Sequence, residues 1–208
     1  MCRAGASLDS VAAVQIAPGL MRWTAPHPDW DGQEGWDREV GCTLFVASET
    51  VVLIDPLLPQ EGREEFLRWL DGIVGGRPVS VLTTIRWHRR DREALAERYR
   101  GDGSRAPNMV PPGVEPRPLK GAGETMFWLP AAAALVPGDR LIGAPPGGLQ
   151  LCPESWLDEV SVDRRGLAEL MRPLLELPIE RVLVSHGEPV LRDGRAAVAH
   201  ALREAGGS

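Results

Sequence analysis

The stretch Val79-Ser80-Val81-Leu82-Thr83-Thr84 runs without a break into Ile85-Arg86-Trp87-His88-Arg89-Arg90-Asp91. Its first half is short, β-branched and apolar, which predicts a buried strand. The second half gathers three arginines, a histidine and an aspartate within six residues. Arg92 to Arg100 then reads as a helix, so the polar cluster stands at the C-terminal end of a strand, between it and a helix.

Working back from this junction, Glu61 to Val74 places Phe66, Leu67, Leu70, Ile73 and Val74 on one helical face and stops at Gly75-Gly76, a common way for a helix to end. Before it, Thr43–Ala47 and Val51–Ile54 are two β-branched runs joined by Ser48-Glu49-Thr50, a hairpin by spacing. The hairpin ends at Asp55-Pro56. Val11 to Ala17 and Leu20 to Trp23 are predicted strands around the Pro18-Gly19 turn, and residues 24–36 form a Pro- and Trp-rich loop.

Working forward, Gly101 to Gly123 reads as loops around one short strand at Met109-Val110. Thr125–Leu129, Ala132–Val136 and Arg140–Ile142 are predicted strands, with Pro137-Gly138-Asp139 turning between the last two. Gly143 to Gly148 leads into an irregular segment. Leu167, Leu170, Met171, Leu174 and Leu175 mark a second amphipathic helix, Val182–Val184 a strand, and Gly194–Glu204 a terminal helix. The pattern is α/β (α+β), with no boundary dividing 1–208 into more than one domain.

Bulk properties narrow the function. A net charge of −6 argues against nucleic acid or an anionic membrane surface as partner. Three cysteines, Cys2, Cys42 and Cys152, form no CxxC pair, so neither a disulfide framework nor a zinc ribbon is indicated, and each of the last two is expected to be a small buried hydrophobe. No run approaches the ~18 apolar residues of a membrane span, and no signal-peptide core is present; the expectation is a soluble, cytoplasmic protein. Lys120 is the only lysine among 23 basic residues, which lowers the information in any arginine cluster. GxSxG, GxxxxGK[ST] and GxGxxG are all absent.

Three landmarks then fall in a meaningful order: Leu53-Ile54-Asp55-Pro56, Val136-Pro137-Gly138-Asp139 and Val184-Ser185-His186-Gly187-Glu188-Pro189. With the junction at 79–91, they resemble the landmarks of the metallo-β-lactamase superfamily from about Val11 onward. The resemblance implies a four-layer αββα sandwich whose site lies at one edge, where in active members zinc, iron or manganese supports hydrolysis. Fold alone does not transfer that chemistry.

The ligands this resemblance calls for are depleted. Active members carry His-x-His-x-Asp-His after the strand matching 79–84, a histidine midway, then the aspartate and the last histidine. The histidines here are His27, His88, His186 and His200, so the midway ligand is missing, with Pro130 or Ala131 expected near its place. In one register the first cluster reads Ile85, Trp87, Arg89 and Arg90; in the next it reads Arg86, His88, Arg90 and Asp91. A zinc ion, if held at all, would have His88, Asp91, Asp139 and His186 around it.

The resemblance therefore implies a divergent, metal-poor or inactive relative. Its expected catalytic residues are His88, Arg90, Asp139 and His186, and Arg86, Arg89 and the rim residue His27 are expected to bind a small anionic molecule. An arginine of the 86–90 cluster would neutralise Asp139 in place of a metal. Two alternatives stand beside this: a working hydrolase of an ester, lactone or thioester using one metal or a histidine pair, and a scaffold with no ligand. His200 reads as an ordinary helix residue. Oligomeric state is not legible.

Overall fold

The computed structural model describes residues 13–32, 35–100 and 110–206. The first half of the chain builds a five-stranded sheet in the order β1 (Val14–Ala17), β2 (Leu20–Pro26), β3 (Glu39–Ala47), β4 (Thr50–Ile54), β5 (Val79–Leu82). Its hairpins are antiparallel. The last pair, β4 and β5, is parallel, because helix α1 (Arg63–Val74) carries the chain back across the sheet. Gly75 caps α1 with φ 53°, a left-handed conformation glycine adopts at no steric cost.

The second half builds a four-stranded sheet in the order β11 (Arg181–Val182), β8 (Ala134–Val136), β7 (Glu124–Leu129), β6 (Glu115–Leu119), and a separate pair of β9 (Leu141–Ala144) with β10 (Gly148–Leu151). Helices α2 (Arg92–Arg98), α3 (Arg164–Met171) and α4 (Gly194–Gly206) complete the set. No helix among the described residues is long and apolar enough to cross a membrane.

Strand alternation sorts the buried side chains into three layers. Val51 and Leu53 of β4 point to a cluster with Phe66, Leu70 and Val74 of α1 and Leu95 of α2. Val52 and Ile54 point the other way and meet Phe127 and Leu129 of β7 and Ala134 and Val136 of β8. The opposite residues of the second sheet, Met126, Trp128 and Leu135, pack on Leu167 and Met171 of α3 and Val198 and Leu202 of α4. Three apolar layers between helices, sheet, sheet and helices make the αββα order expected from the sequence.

Several local expectations need correction. Val110 is in no strand, and Met109 lies outside the described residues; the strand of that region is β6, five residues later. Pro116 and Pro118 disguise it, since proline suits only a sheet edge, and β6 is the edge of its sheet. The segment after Gly148 is β10 rather than irregular chain. The second amphipathic helix is α3 followed by a 3₁₀ turn at Arg172–Glu176. Of the predicted Val182–Val184 strand only Val182 is in a strand, β11, which starts one residue earlier at Arg181.

The two sheets meet along one seam. Thr125 donates its N–H to the Thr84 carbonyl at 2.8 Å, and Gly41 donates to the Ser185 carbonyl at 2.7 Å. Gly138 sits in this seam with no room for a side chain: a Cβ there would lie 2.6 Å from Thr84 Oγ1 and 2.9 Å from Glu124 Oε2. The loops after β4, β5, β8 and β11 all end here.

Candidate metal centre

Asp55, at the end of β4, is buried and held in the left-handed region at φ 49°, which aspartate tolerates better than most residues. Its Oδ1 accepts the Thr84 N–H at 2.8 Å. Its Oδ2 accepts the Thr84 hydroxyl and lies 2.9 Å from His88 Nδ1. The carboxylate thus grips the end of β5 and sets the His88 ring, whose Nε2 then faces Asp139 Oδ1 at 2.9 Å.

Asp139 is placed from the other sheet. Glu124, at the first position of β7, accepts three consecutive backbone N–H groups, those of Gly138, Asp139 and Arg140, at 3.0, 2.8 and 2.9 Å. Burial outweighs these bonds and pushes the Glu124 carboxyl up to about 7. The cradle fixes the turn after β8 and aims Asp139 across the seam. Its Oδ2 accepts the indole N–H of Trp87.

Asp139 Oδ1 lies 2.9 Å from His88 Nε2 and 3.1 Å from His186 Nε2. It is fully buried, yet neither ring nitrogen makes a well-directed hydrogen bond to it. His88, Asp139 and His186 are themselves buried, and one ligand atom of each lies within 4.8 Å of those of the other two. In tetrahedral zinc sites, with bonds of about 2.0–2.1 Å, ligand atoms stand roughly 3.3 Å apart. The nitrogen and oxygen donors suit such an ion, and the two separations from Asp139 Oδ1, 2.9 and 3.1 Å, are close to that value. Burial raises the Asp139 carboxyl, but the charges of His88 and His186 outweigh it and hold the group well below the usual carboxylate range. For His88, burial and Arg90 act downward; Asp139 and Asp55 prevail and raise the imidazole to about 9.

The other residues expected at the site go elsewhere. Asp91 accepts the Leu58 N–H at 2.7 Å and pairs with Arg63 at 3.0 Å; it anchors the start of α2 and is absent from the ligand group. Arg90, at φ 44°, donates Nη1 to the carbonyls of Gly41 and Asp55. It ties loops together at the cleft wall and makes no pair with Asp139. Arg86 is exposed and paired with Glu159, and Arg89 is exposed with Glu93 4.0 Å away. No arginine of the cluster neutralises Asp139, because histidines already do so.

The cation buried beside the site is instead Arg140, fully enclosed, with Nε on the Ala122 carbonyl, Nη1 on the Trp156 carbonyl and its guanidinium 5.7 Å from the Trp87 ring centre. Sequence reasoning missed Arg140, Glu124 and Trp87. A single acid opening an apolar strand was the available signal for Glu124. Pro130 and Ala131 are exposed at the far end of β7, so the residue facing the site from this strand is Glu124.

Above the ligand group lies a cleft of about 800 Å³. Trp36 and Trp156 flank His186 with ring centres 5.0 and 5.7 Å from it, and His27 meets Trp36 edge-on at 5.4 Å. His27 is thus a rim residue, with its imidazole lowered by partial burial and then by Arg90. The lining holds four carboxylates, Asp29, Asp139, Asp158 and Glu159, against one arginine, Arg90. Of the arginines and histidines expected at the site, His27, His88, His186 and Arg90 line the cleft, beside three tryptophans and these carboxylates. His200 is exposed on α4. Trp23 is buried against Phe66, its indole N–H on the Leu57 carbonyl, and plays no part in the cleft.

The sequence matches no family model and no curated protein. Solved structures do match. The DIM-1 metallo-β-lactamase superposes with a TM-score of 0.61 over 93% of this chain and 95% of its own, at 12% identity. A metallo-β-lactamase from Pontibacter korlensis gives 0.59 over 94% and 99%, at 16% identity. One from Erythrobacter litoralis gives 0.59 over 93% and 91%, also at 16%. Identities this low speak to architecture alone, and with the layer order and the seam they establish that this chain has the metallo-β-lactamase fold.

Proposed function

We propose that the protein is a hydrolase working with one metal ion, zinc by its donor set, held by His88, Asp139 and His186. The observation that carries this reading is Asp139 Oδ1: a buried carboxylate oxygen without a hydrogen bond, facing two imidazole nitrogens within 3.1 Å. Three protein ligands with the remaining position toward an open cleft is the pattern of catalytic rather than structural zinc sites. Such an ion supplies Lewis acidity toward a carbonyl or phosphoryl oxygen.

The chain's own residues prepare that position. Asp55 accepts a hydrogen bond from His88 Nδ1–H, so that Nε2 is the nitrogen His88 would give to an ion, the carboxylate support metal-binding histidines commonly have. Trp87 occupies Asp139 Oδ2, so the carboxylate has one oxygen to give and the site suits one ion, not a pair. Trp36 and Trp156 shield His186 from bulk water.

A second reading is metal-free proton transfer. It is favoured by the position of His88 between two carboxylates, 2.9 Å from each. One titration separates the two. Protein stripped with chelator and dialysed is titrated with zinc chloride and, for its visible spectrum, cobalt chloride. The metal reading expects one equivalent bound, a four-coordinate cobalt spectrum, and loss of both in His186→Ala and Asp139→Asn. Absence of stoichiometric binding, or binding that survives both substitutions, refutes it.

A further inference from the structure

We propose that this cleft takes a substrate bearing an ammonium group, lodged among Trp87, Trp36, Trp156 and the carboxylates of Asp158 and Glu159, with its reactive end turned toward Asp139. The inference rests on reading the cleft as the substrate site and adds the charge of what enters it.

The walls are the first ground. Three indoles line the cleft from three separate segments: the loop before β3, the turn after β5 and the 3₁₀ turn Glu154–Leu157. Indole faces attract cations more strongly than any other side-chain ring, and several facing one space form the cage that recognises alkylated amines. Charge is the second. Asp29, Asp158 and Glu159 stand exposed at the mouth, Asp139 at the floor is matched by His88 and His186, and the one arginine lining the cleft among the described residues has Nη1 bonded to backbone carbonyls. A mouth of one sign concentrates ligands of the other, and an anion entering it would meet three exposed carboxylates.

The third ground is a cation already seated at the rim. The Arg86 guanidinium lies 5.3 Å from the Trp87 ring centre and pairs with Glu159. Both side chains are about 70% exposed, at 71% and 72%, so their pairing is weak and easily exchanged. Arg86 is thus a tethered stand-in for the ligand's charge, and it competes with the ligand. The opposite assignment, Arg86 as a binder of anions, predicts the reverse effect of removing it. A volume of about 800 Å³ is within the range of pockets for small organic molecules.

The test uses full-length, chelator-stripped protein, so no metal or turnover is involved. Benzyltrimethylammonium chloride and sodium benzenesulfonate are titrated at equal ionic strength, read by tryptophan fluorescence and calorimetry. Saturable binding of the cation alone is expected. Glu159→Gln should weaken it about three- to tenfold and Arg86→Gln should strengthen it by a similar factor. Both residues are on the surface, so the variants keep the fold. Tighter binding of the sulfonate, no saturable binding of the cation, weaker cation binding in Arg86→Gln, or no effect of Glu159→Gln overturns the proposal. Because zinc is absent, such a failure leaves the metal titration standing, and failure of that titration leaves this result standing.

Discussion

Asp55→Asn is the substitution that separates the support of the site from the support of the fold. Asparagine tolerates the φ of 49° at this position, so the backbone is expected to stay. The Thr84 N–H can only donate, and it donates to Oδ1 at 2.8 Å; the amide oxygen must therefore take that place. The NH₂ then replaces Oδ2, where it faces the Thr84 hydroxyl and His88 Nδ1. The hydroxyl can turn to accept. In the neutral ring that would bind an ion, His88 Nδ1 can accept only with the ring proton on Nε2, which removes the lone pair directed toward Asp139 Oδ1 across 2.9 Å. Hydrogen bonds are mostly conserved while a donor atom for the ion is lost. The expected cost to the metal-free fold is about 1–2 kcal/mol, and zinc affinity should fall about 10- to 100-fold, which is about 1.4–2.7 kcal/mol. Competition with a chromophoric chelator measures the second quantity, and urea unfolding of stripped protein the first. Zinc affinity within about twofold of wild type, where a 10-fold loss is expected, would refute the reasoning that Asp55 sets the His88 tautomer.

Other consequences follow from the same coordinates. In stripped protein, burial opposes the charged form of His88, but Asp139 and Asp55 raise it to about 9; a raised base stabilises fully below its ordinary pKa of about 6.5 and loses that contribution as pH rises through about 9. Urea unfolding should report a decline of order 3 kcal/mol across that window, and a His88→Gln variant with the same decline would assign it elsewhere. Arg140→Ala removes a fully enclosed cation from two carbonyls and from the flank of Trp87; leaving both carbonyls without a donor is expected to cost about 2–6 kcal/mol in chemical denaturation, and a loss below about 1 kcal/mol would mean that water replaces the guanidinium at both. Phe127→Ala opens the layer between the sheets and should cost about 3–5 kcal/mol by the same measurement. Burial pushes the Cys42 thiol up to about 11 and raises Cys152 as well; peptide mapping after treatment with a thiol reagent at neutral pH should find both modified only in denaturant, and rapid native labelling of either would contradict the packing.

What could be read from the sequence was what depends on nearest neighbours along the chain. The alternation of Val51 to Ile54, the helical face of Phe66, Leu70 and Val74, and the glycine stop at Gly75 are local signals, and they place two sheets and their covering helices. Where the local signal misled, a tertiary condition had overruled it. Two prolines in Glu115–Leu119 weigh against a strand until that strand is known to be an edge. The short Gly148–Leu151 strand is invisible without its partner Leu141–Ala144.

The site was legible to the same extent and no further. His88, Asp139 and His186 could be named because each ends a recognisable strand or turn, but their grouping depends on a seam between sheets that no local pattern encodes. Asp91 and Arg90 were reasonable candidates by spacing alone; one residue of backbone register sends Asp91 to Leu58 and Arg63. The larger error concerned electrostatics. A positive charge was expected against Asp139, and the nearest arginines in sequence were the natural source. In the fold, Asp139 is matched by two histidines and an indole N–H, and the buried guanidinium of Arg140 lies behind them on backbone carbonyls. An arginine that satisfies carbonyls leaves the carboxylate's remaining oxygen to the two histidines, whereas one paired with it would have competed with them. That difference is what keeps His88, Asp139 and His186 together as a group that could hold an ion, and it is set by which neighbour reaches Asp139 rather than by how many charges the loop contains.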